Sequence, residues 1–123
     1  MHPPHLYKGI FWIDNPKLVY LGMQDQFYTF SMFDAQTWYA RDVILGRIKL
    51  PSKEAMQKDD DAWVKREEAL KDAFEKIDFQ ADYVRELCDA TDYPKFDIDM
   101  TVDEFKEWEH DKEHSILGYR NKA

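Results

Sequence analysis

The sequence predicts a short β-hairpin followed mostly by α-helices, and three observations indicate this fold class. Two apolar runs rich in β-branched and aromatic residues flank an Asn-Pro turn near the start of the chain. Capping residues and apolar residues at helical spacing recur from residue 31 onward. The charge is also divided, because residues 1–50 carry a net charge of +1 and residues 51–123 carry −9. An aromatic-rich first segment is therefore followed by an acidic, helical second one.

The two predicted strands cover residues 9–13 and 18–22, and Asn15-Pro16 lies in the turn between them. Both runs are almost continuously apolar, which is typical of strands that are covered on both faces. A hairpin alone cannot supply that cover and is marginally stable in water. We therefore expect a sheet to which these strands contribute only a part.

The first predicted helix covers residues 31–45. Ser31 and Asp34 resemble a capping box at its start, and Gly46 is its expected C-terminal stop. Apolar residues cover more than one stripe of this segment, so the helix is expected to be buried on several sides.

Three further helices are predicted after Pro51, which blocks continuation of the preceding helix. Ser52 caps a long helix over residues 53–76. Another helix covers residues 80–90. A second capping box at Thr101 opens a last helix that continues towards Ile116.

Composition excludes several functional classes. The chain has 123 residues and a net charge of −8, without a basic run, so it is a poor candidate for binding nucleic acid. No apolar stretch is long enough to span a membrane, and the first residues do not form a signal peptide. The single Cys88 excludes an internal disulfide and agrees with a cytoplasmic location. The chain is also shorter than most enzymes that bind a dinucleotide.

Two candidate reactive features favour a structural interpretation. His110 and His114 match the H-x-x-E-H zinc-peptidase pattern, but they lie in a segment of mixed charge that is typical of an exposed helix. Cys88 lies on an apolar face and is expected to be an inert thiol. We therefore predict no metal ligand and no catalytic residue in this chain, and its four dispersed glycines form no phosphate-binding loop.

The loop over residues 24–30 is a better candidate for a ligand site. It follows a predicted buried strand and precedes a predicted buried helix, which is where open α/β sheets bind ligands. It combines amides and a hydroxyl with flat rings, and this combination suits an aromatic heterocycle such as a flavin. A polar turn beside core aromatics is the simpler alternative.

Several longer runs of specific sequence occur in a fixed order along the chain. They are Leu6-Tyr7-Lys8-Gly9, Tyr20-Leu21-Gly22-Met23-Gln24-Asp25-Gln26, Met32-Phe33-Asp34-Ala35-Gln36, Arg41-Asp42-Val43-Ile44-Leu45-Gly46, Gln80-Ala81-Asp82-Tyr83-Val84, Thr91-Asp92-Tyr93-Pro94 and Tyr119-Arg120. With these runs the whole chain resembles the C-terminal part of the bacterial flavin-containing monooxygenases, in the branch that acts on trimethylamine.

The resemblance implies an α/β enzyme with two Rossmann-like dinucleotide-binding domains, one for FAD and one for NADPH. Such an enzyme N-oxygenates trimethylamine to trimethylamine N-oxide through a flavin C4a-hydroperoxide. By this resemblance, residues 1–50 are the C-terminal part of the FAD-binding domain, with two strands, the ligand loop and the buried helix. Residues 51–123 are its acidic helical C-terminal region.

The resemblance also implies roles for four residues. Gln26 and Thr29 match positions that hydrogen-bond the flavin side of the site, and Arg120 matches a position that contacts NADP. Phe27 matches a substrate-pocket position where relatives often carry tryptophan. A neutral amide or hydroxyl can bond the flavin without adding charge, whereas a guanidinium suits the oxygens of NADP.

Both glycine-rich phosphate loops of such an enzyme would precede Met1. We therefore expect the isolated chain to be inactive and to require the N-terminal remainder of the same enzyme as its partner. A homodimer, oxygen and a small tertiary amine are the other expected partners. An alternative from another class is an autonomous, mostly helical protein-interaction module without catalysis.

Overall fold

A computed structural model describes residues 3–24, 27–115 and 117–118 of the chain. Its elements confirm a short hairpin followed by helices. In chain order they are β1 (Leu6–Tyr7), β2 (Phe11–Trp12), α1 (Thr29–Ile44), α2 (Lys53–Glu68), α3 (Ala73–Asp89) and α4 (Ile98–His114). None of the described helices has both the length and the apolarity that a bilayer crossing requires.

The hairpin lies earlier in the chain than the sequence predicts. Leu6 pairs with Trp12 and Tyr7 with Phe11, in antiparallel register. The turn between them has positive φ at both Lys8 (56°) and Gly9 (65°), a conformation typical of tight hairpin turns. The predicted strand over residues 9–13 is thus wrong in extent, because its first residues form this turn. A lysine gives no sequence signal for a left-handed turn.

The predicted second strand over residues 18–22 is reduced to a single bridge between Phe11 and Val19. Backbone bonds flank this bridge: Trp12 donates its N–H to the Leu18 carbonyl at 3.1 Å, and Tyr20 donates to the Ile10 carbonyl at 2.8 Å. The run therefore lies along β2, but its apolar side chains are exposed. The described residues thus leave this run partly exposed, and its cover by a sheet from outside this chain stays a prediction.

Helix α1 starts earlier than its predicted capping box. It begins at Thr29, after Tyr28, and Ser31 already lies within its first turn, so Ser31 is not the cap. Its predicted end is confirmed, because Gly46 follows the helix with a φ of 76°. The Ser52 cap of α2 is also confirmed, since its side chain accepts a hydrogen bond from the N–H of Ala55 at 3.2 Å.

The single predicted helix over residues 53–76 is wrong, because α2 ends at Glu68 and α3 begins at Ala73. Asp72 accepts from the Glu75 N–H at 2.8 Å, and the Glu75 side chain accepts from the Lys71 N–H at 2.6 Å. These bonds make a reciprocal cap that ends one helix and starts the next.

The predicted helix over residues 80–90 is the second half of α3. Helix α4 also starts earlier than predicted, because Asp97 rather than Thr101 is its cap: the Asp97 side chain accepts from the Met100 N–H at 2.9 Å. The helix ends at His114, and the predicted extension to Ile116 falls outside the described residues.

The hydrophobic core draws on both sides of Pro51. Helix α3 packs against both α1 and α4, and α2 packs against β1. The largest fully buried apolar side chains come from the hairpin, α1 and α3; they are Phe11, Ile10, Met32, Ile77, Leu87 and Val84. This core fixes α1 and α3 side by side beneath the loop that precedes α1.

A buried lysine ties the hairpin turn to two helices. The Lys8 ammonium lies 3.5 Å from a carboxylate oxygen of Asp59 in α2 and 3.0 Å from one of Glu86 in α3. A buried charge is tolerated only when it is paired, and two carboxylates fulfil that requirement here.

Candidate functional site

The candidate site is the segment that leads from Gly22 into α1, which we call the α1 entry loop (residues 22–29). Thr29 is the first residue of α1 and is exposed, and Phe27 is half-buried. Gln26, predicted to contact the flavin, falls outside the described residues, as does Arg120, predicted to contact NADP. Of the four predicted residues, the structure thus places Phe27 and Thr29 together, at the end of the α1 entry loop.

The first part of the α1 entry loop is held by Gln36, which is fully buried in α1. Its amide oxygen accepts the Gly22 N–H at 2.8 Å. Its amide nitrogen donates to the Gln24 side-chain oxygen at 2.7 Å and to the Tyr83 hydroxyl at 2.8 Å. The Tyr83 hydroxyl in turn donates to the Lys8 carbonyl. One amide therefore links the loop, α3 and the hairpin turn.

Two glycines make room for this arrangement. A Cβ at Gly9 would lie 2.0 Å from the Gln24 amide nitrogen, and one at Gly22 would lie 2.4 Å from a ring carbon of Phe33. Both glycines also have positive φ. The close approach of the backbone to these side chains therefore requires glycine at each position.

The second part of the α1 entry loop is held by Gln80 of α3. Its side chain is buried, and its amide oxygen accepts the Phe27 N–H at 2.6 Å. The neighbouring Tyr28 ring is buried and packs edge-on against Phe105 of α4, with ring centroids 4.9 Å apart. Burial raises the pKa of the Tyr28 hydroxyl above its usual range, so this group stays protonated at neutral pH.

An open groove of about 520 Å³ lies between the α1 entry loop and α4. Phe27 and Phe105 meet edge-to-face there, with centroids 6.0 Å apart, and Trp108 lies in the same lining. The Lys112 ammonium lies 5.2 Å from the centre of the Trp108 ring. The arrangement offers flat apolar surfaces with charged groups at the rim, which suits a small organic ligand.

Comparison with known proteins identifies relatives over the full chain. The chain is 63% identical over 123 residues to the trimethylamine monooxygenase of Methylocella silvestris and 54% identical over 123 residues to that of Pelagibacter sp. strain HTCC7211. It covers 27% and 28% of those proteins, respectively. The crystal structure of Tmm from the same Pelagibacter strain matches 98% of the chain, with a TM-score of 0.96 and 55% identity.

The chain is thus similar over its whole length to trimethylamine monooxygenases. It spans about a quarter of the length of the relatives that it matches. A flavin-containing monooxygenase of Aspergillus flavus is more distant, at 37% identity over 62 residues. A search of protein-family models gave no match.

Other candidate groups lie outside the α1 entry loop. The rings of His110 and His114 stack with centroids 4.2 Å apart, and His114 donates from Nδ1 to the His110 carbonyl at 2.8 Å. Within the described residues, no three His, Cys, Asp or Glu side chains are grouped to hold a metal ion. Burial raises the pKa of the half-buried Cys88 thiol to about 11, so this thiol is a poor nucleophile at neutral pH.

Sequence reasoning missed the residues that hold the α1 entry loop, namely Gln36, Gln80 and Tyr83. A usable signal existed, because Gln36 and Gln80 each stand next to apolar residues on the buried side of a helix. A buried polar side chain requires hydrogen-bond partners, so a glutamine at such a position indicates a specific structural contact.

Proposed function

We propose that this chain is part of an FAD- and NADPH-dependent monooxygenase that converts trimethylamine to trimethylamine N-oxide. The observation that carries the proposal is the 63% identity to the Methylocella silvestris enzyme over all 123 residues. The stoichiometry balances with one oxygen molecule: one oxygen atom is bonded to the amine nitrogen, and the other leaves as water after NADPH supplies a hydride and the solvent supplies a proton. The bound flavin would supply the oxygen-activating chemistry.

The described residues fit one edge of a flavin. Thr29 presents a hydroxyl at the start of α1, where the first N–H groups of a helix have no partner within the helix. These donors are neutral, which suits the uncharged carbonyl and hydroxyl groups of the flavin ring and ribityl chain. Thr29 would bind and orient that edge, together with Gln26.

Two further residues would complete the contribution of this chain. Arg120 would bind NADP through its guanidinium, which stays protonated and can contact phosphate or carboxamide oxygens. Phe27 would line the amine pocket from the groove beside Phe105, where its ring excludes water from one side. A phenylalanine is smaller than the tryptophan expected at this position, so the pocket would be wider there.

The remainder of the same polypeptide is the proposed partner. An exposed apolar run formed by residues 18–23, which we call the apolar edge, lies beside β2 with its backbone bonded to β2 on one side. Its exposed apolar side chains are Leu18, Val19, Tyr20, Leu21 and Met23. Since the relatives are almost four times longer, we propose that their additional sheet covers this edge. We also propose that two copies of the full-length protein form a homodimer.

The proposal is tested by expressing the full-length protein and measuring bound FAD, NADPH oxidation and trimethylamine N-oxide formation. We expect a yellow protein in which trimethylamine N-oxide forms in proportion to the NADPH and oxygen consumed. Thr29→Ala and Gln26→Ala should each weaken FAD retention, and Arg120→Ala should raise the KM for NADPH. A colourless, inactive full-length protein would contradict the proposal and favour an interaction module.

A further inference from the structure

The two described ends of the α1 entry loop are each held by a buried glutamine from a different helix. Gln36 of α1 binds the backbone at Gly22, and Gln80 of α3 binds the backbone at Phe27. We propose that Gln36 and Gln80 are positioning residues that fix the loop so that Thr29 and Phe27 face the flavin and the amine. This inference rests on the proposed function of the loop.

The Gln80 contact is specific in its chemistry. The amide oxygen accepts the Phe27 N–H at 2.6 Å from a side chain that is 95% buried. The bond itself is part-buried, so without its acceptor the Phe27 N–H would be left unsatisfied until the loop moved to meet water or another group. Gln80 thus determines where the backbone enters α1, two residues before Thr29.

The Gln36 contact extends the same constraint to the start of the loop. Its oxygen and nitrogen are both used, on Gly22, Gln24 and Tyr83. Tyr83 lies one helical turn after Gln80 on α3. Both ends of the loop are therefore linked to the same face of α3. Gln80 binds the Phe27 end directly, and Tyr83 is linked to the Gly22 end through Gln36.

This geometry predicts that the two glutamines set the position of the loop in addition to stabilising the fold. Neither glutamine is proposed to touch the cofactor, and each acts through the backbone that carries Thr29 and Phe27. Removing the Gln80 acceptor should therefore weaken flavin binding and raise the KM for trimethylamine more than an equally destabilising change elsewhere in α3. A purely structural role predicts equal effects at equal loss of stability.

The test uses the full-length protein, from which FAD is removed and titrated back. Gln80→Met removes the acceptor and keeps the length of the side chain, whereas Gln80→Glu keeps an acceptor oxygen at the same reach. Val84→Ala is the matched control, because it truncates a fully buried α3 side chain that has no hydrogen-bonding group. Thermal unfolding of each apoprotein measures the loss of stability, and flavin fluorescence measures the Kd for FAD.

We expect Gln80→Met to raise the Kd for FAD about tenfold, the equivalent of one lost hydrogen bond. Gln80→Glu and Val84→Ala should stay within about threefold of the parent Kd. The inference is overturned if Gln80→Met leaves Kd unchanged, or if Val84→Ala raises it equally at the same loss in Tm. If Gln80→Met does not fold, Gln80→Asn decides, because its shorter amide withdraws the acceptor and should give the same increase. A parent protein that binds no FAD overturns the proposed function instead.

Discussion

Two neighbouring runs of similar composition have opposite environments in this molecule. Ile10 and Phe11 are 0% and 1% exposed, whereas Leu18 and Leu21 of the apolar edge are 48% and 47% exposed. The two runs lie side by side and share backbone hydrogen bonds. The buried run is covered within this chain, whereas the described residues leave about half of the apolar edge exposed.

An apolar run in the sequence therefore predicts a buried surface, but it does not indicate whether the same chain or further protein covers that surface. Ile10 and Phe11 are buried within this chain, where the Phe11 ring lies 6.1 Å from the ring of Tyr39 in α1. The apolar edge has the same sequence character but presents its side chains outward, as a surface that is typical of contact with further protein. The core of this chain and its proposed contact surface are therefore two sides of the same small β-structure.

The largest effect is expected in the buried run. Phe11→Ala removes a fully buried ring and should lower the free energy of unfolding by about 3–5 kcal/mol. Urea denaturation followed by circular dichroism measures this change. A loss below about 1 kcal/mol would mean that the ring is not part of a close-packed core, and the contrast between the runs would fail.

A second comparison tests the turn that leads into the buried run. Gly9→Ala places a methyl group against the Gln24 amide in a left-handed turn, whereas Gly46→Ala meets open space at a similar φ. Gly46→Ala, the control, should lower the free energy of unfolding by about 1 kcal/mol from backbone strain alone. Gly9→Ala should cost at least about twice that, because strain and collision add. Equal losses in thermal stability would show that Gln24 yields freely.

A third comparison tests the charge beneath this turn. Lys8→Met leaves Asp59 and Glu86 facing each other without a cation, and we expect a loss of about 1–2 kcal/mol because both carboxylates are partly exposed. Lys53→Met removes an exposed partner of Asp14 and should change stability by about 0–1 kcal/mol. Thermal unfolding at low and high salt distinguishes them. An equal, salt-sensitive response of both variants would contradict the buried role of Lys8.

The smallest effect on this chain is expected in the apolar edge. Leu21→Ser should change the stability of the 123-residue chain by less than about 0.5 kcal/mol, because the side chain is already half-exposed. In the full-length protein the same change should cost about 2 kcal/mol or more, since a buried leucine would be lost. Parallel denaturation of both proteins measures the difference. A similar small loss in both would indicate that the edge stays exposed.

The helical part of the fold could be predicted from local signals, and the errors have physical causes. Ser52 and Gly46 act as the sequence predicts, because a cap depends on a few neighbouring residues. The break before Ala73 was available from the Asp72–Glu75 cap, but the apolar spacing continued through it. The hairpin was misplaced because Lys8 has a left-handed backbone conformation, which its residue type does not signal.

The candidate site was predictable only in part. A loop of polar and aromatic residues before α1 indicated a ligand site, and a ligand role for Phe27 and Thr29 at the end of that loop stays a prediction. Gln36, Gln80 and Tyr83 could not be paired with that loop from sequence, because their partners are 14, 53 and 75 residues away along the chain. Long-range hydrogen bonds of this kind depend on how α1 and α3 pack.

Backbone hydrogen exchange at the apolar edge tests most directly the claim that this chain is one part of a larger flavoprotein. The edge amides to measure, in the 123-residue chain and in the full-length protein, are those of Val19, Leu21 and Met23. The amides of Trp12 and Tyr20 are the internal reference, because both already donate hydrogen bonds within this chain. We predict that the edge exchanges fast in the isolated chain and becomes as protected as the reference in the full-length protein. Fast exchange at the edge in both proteins would contradict the account.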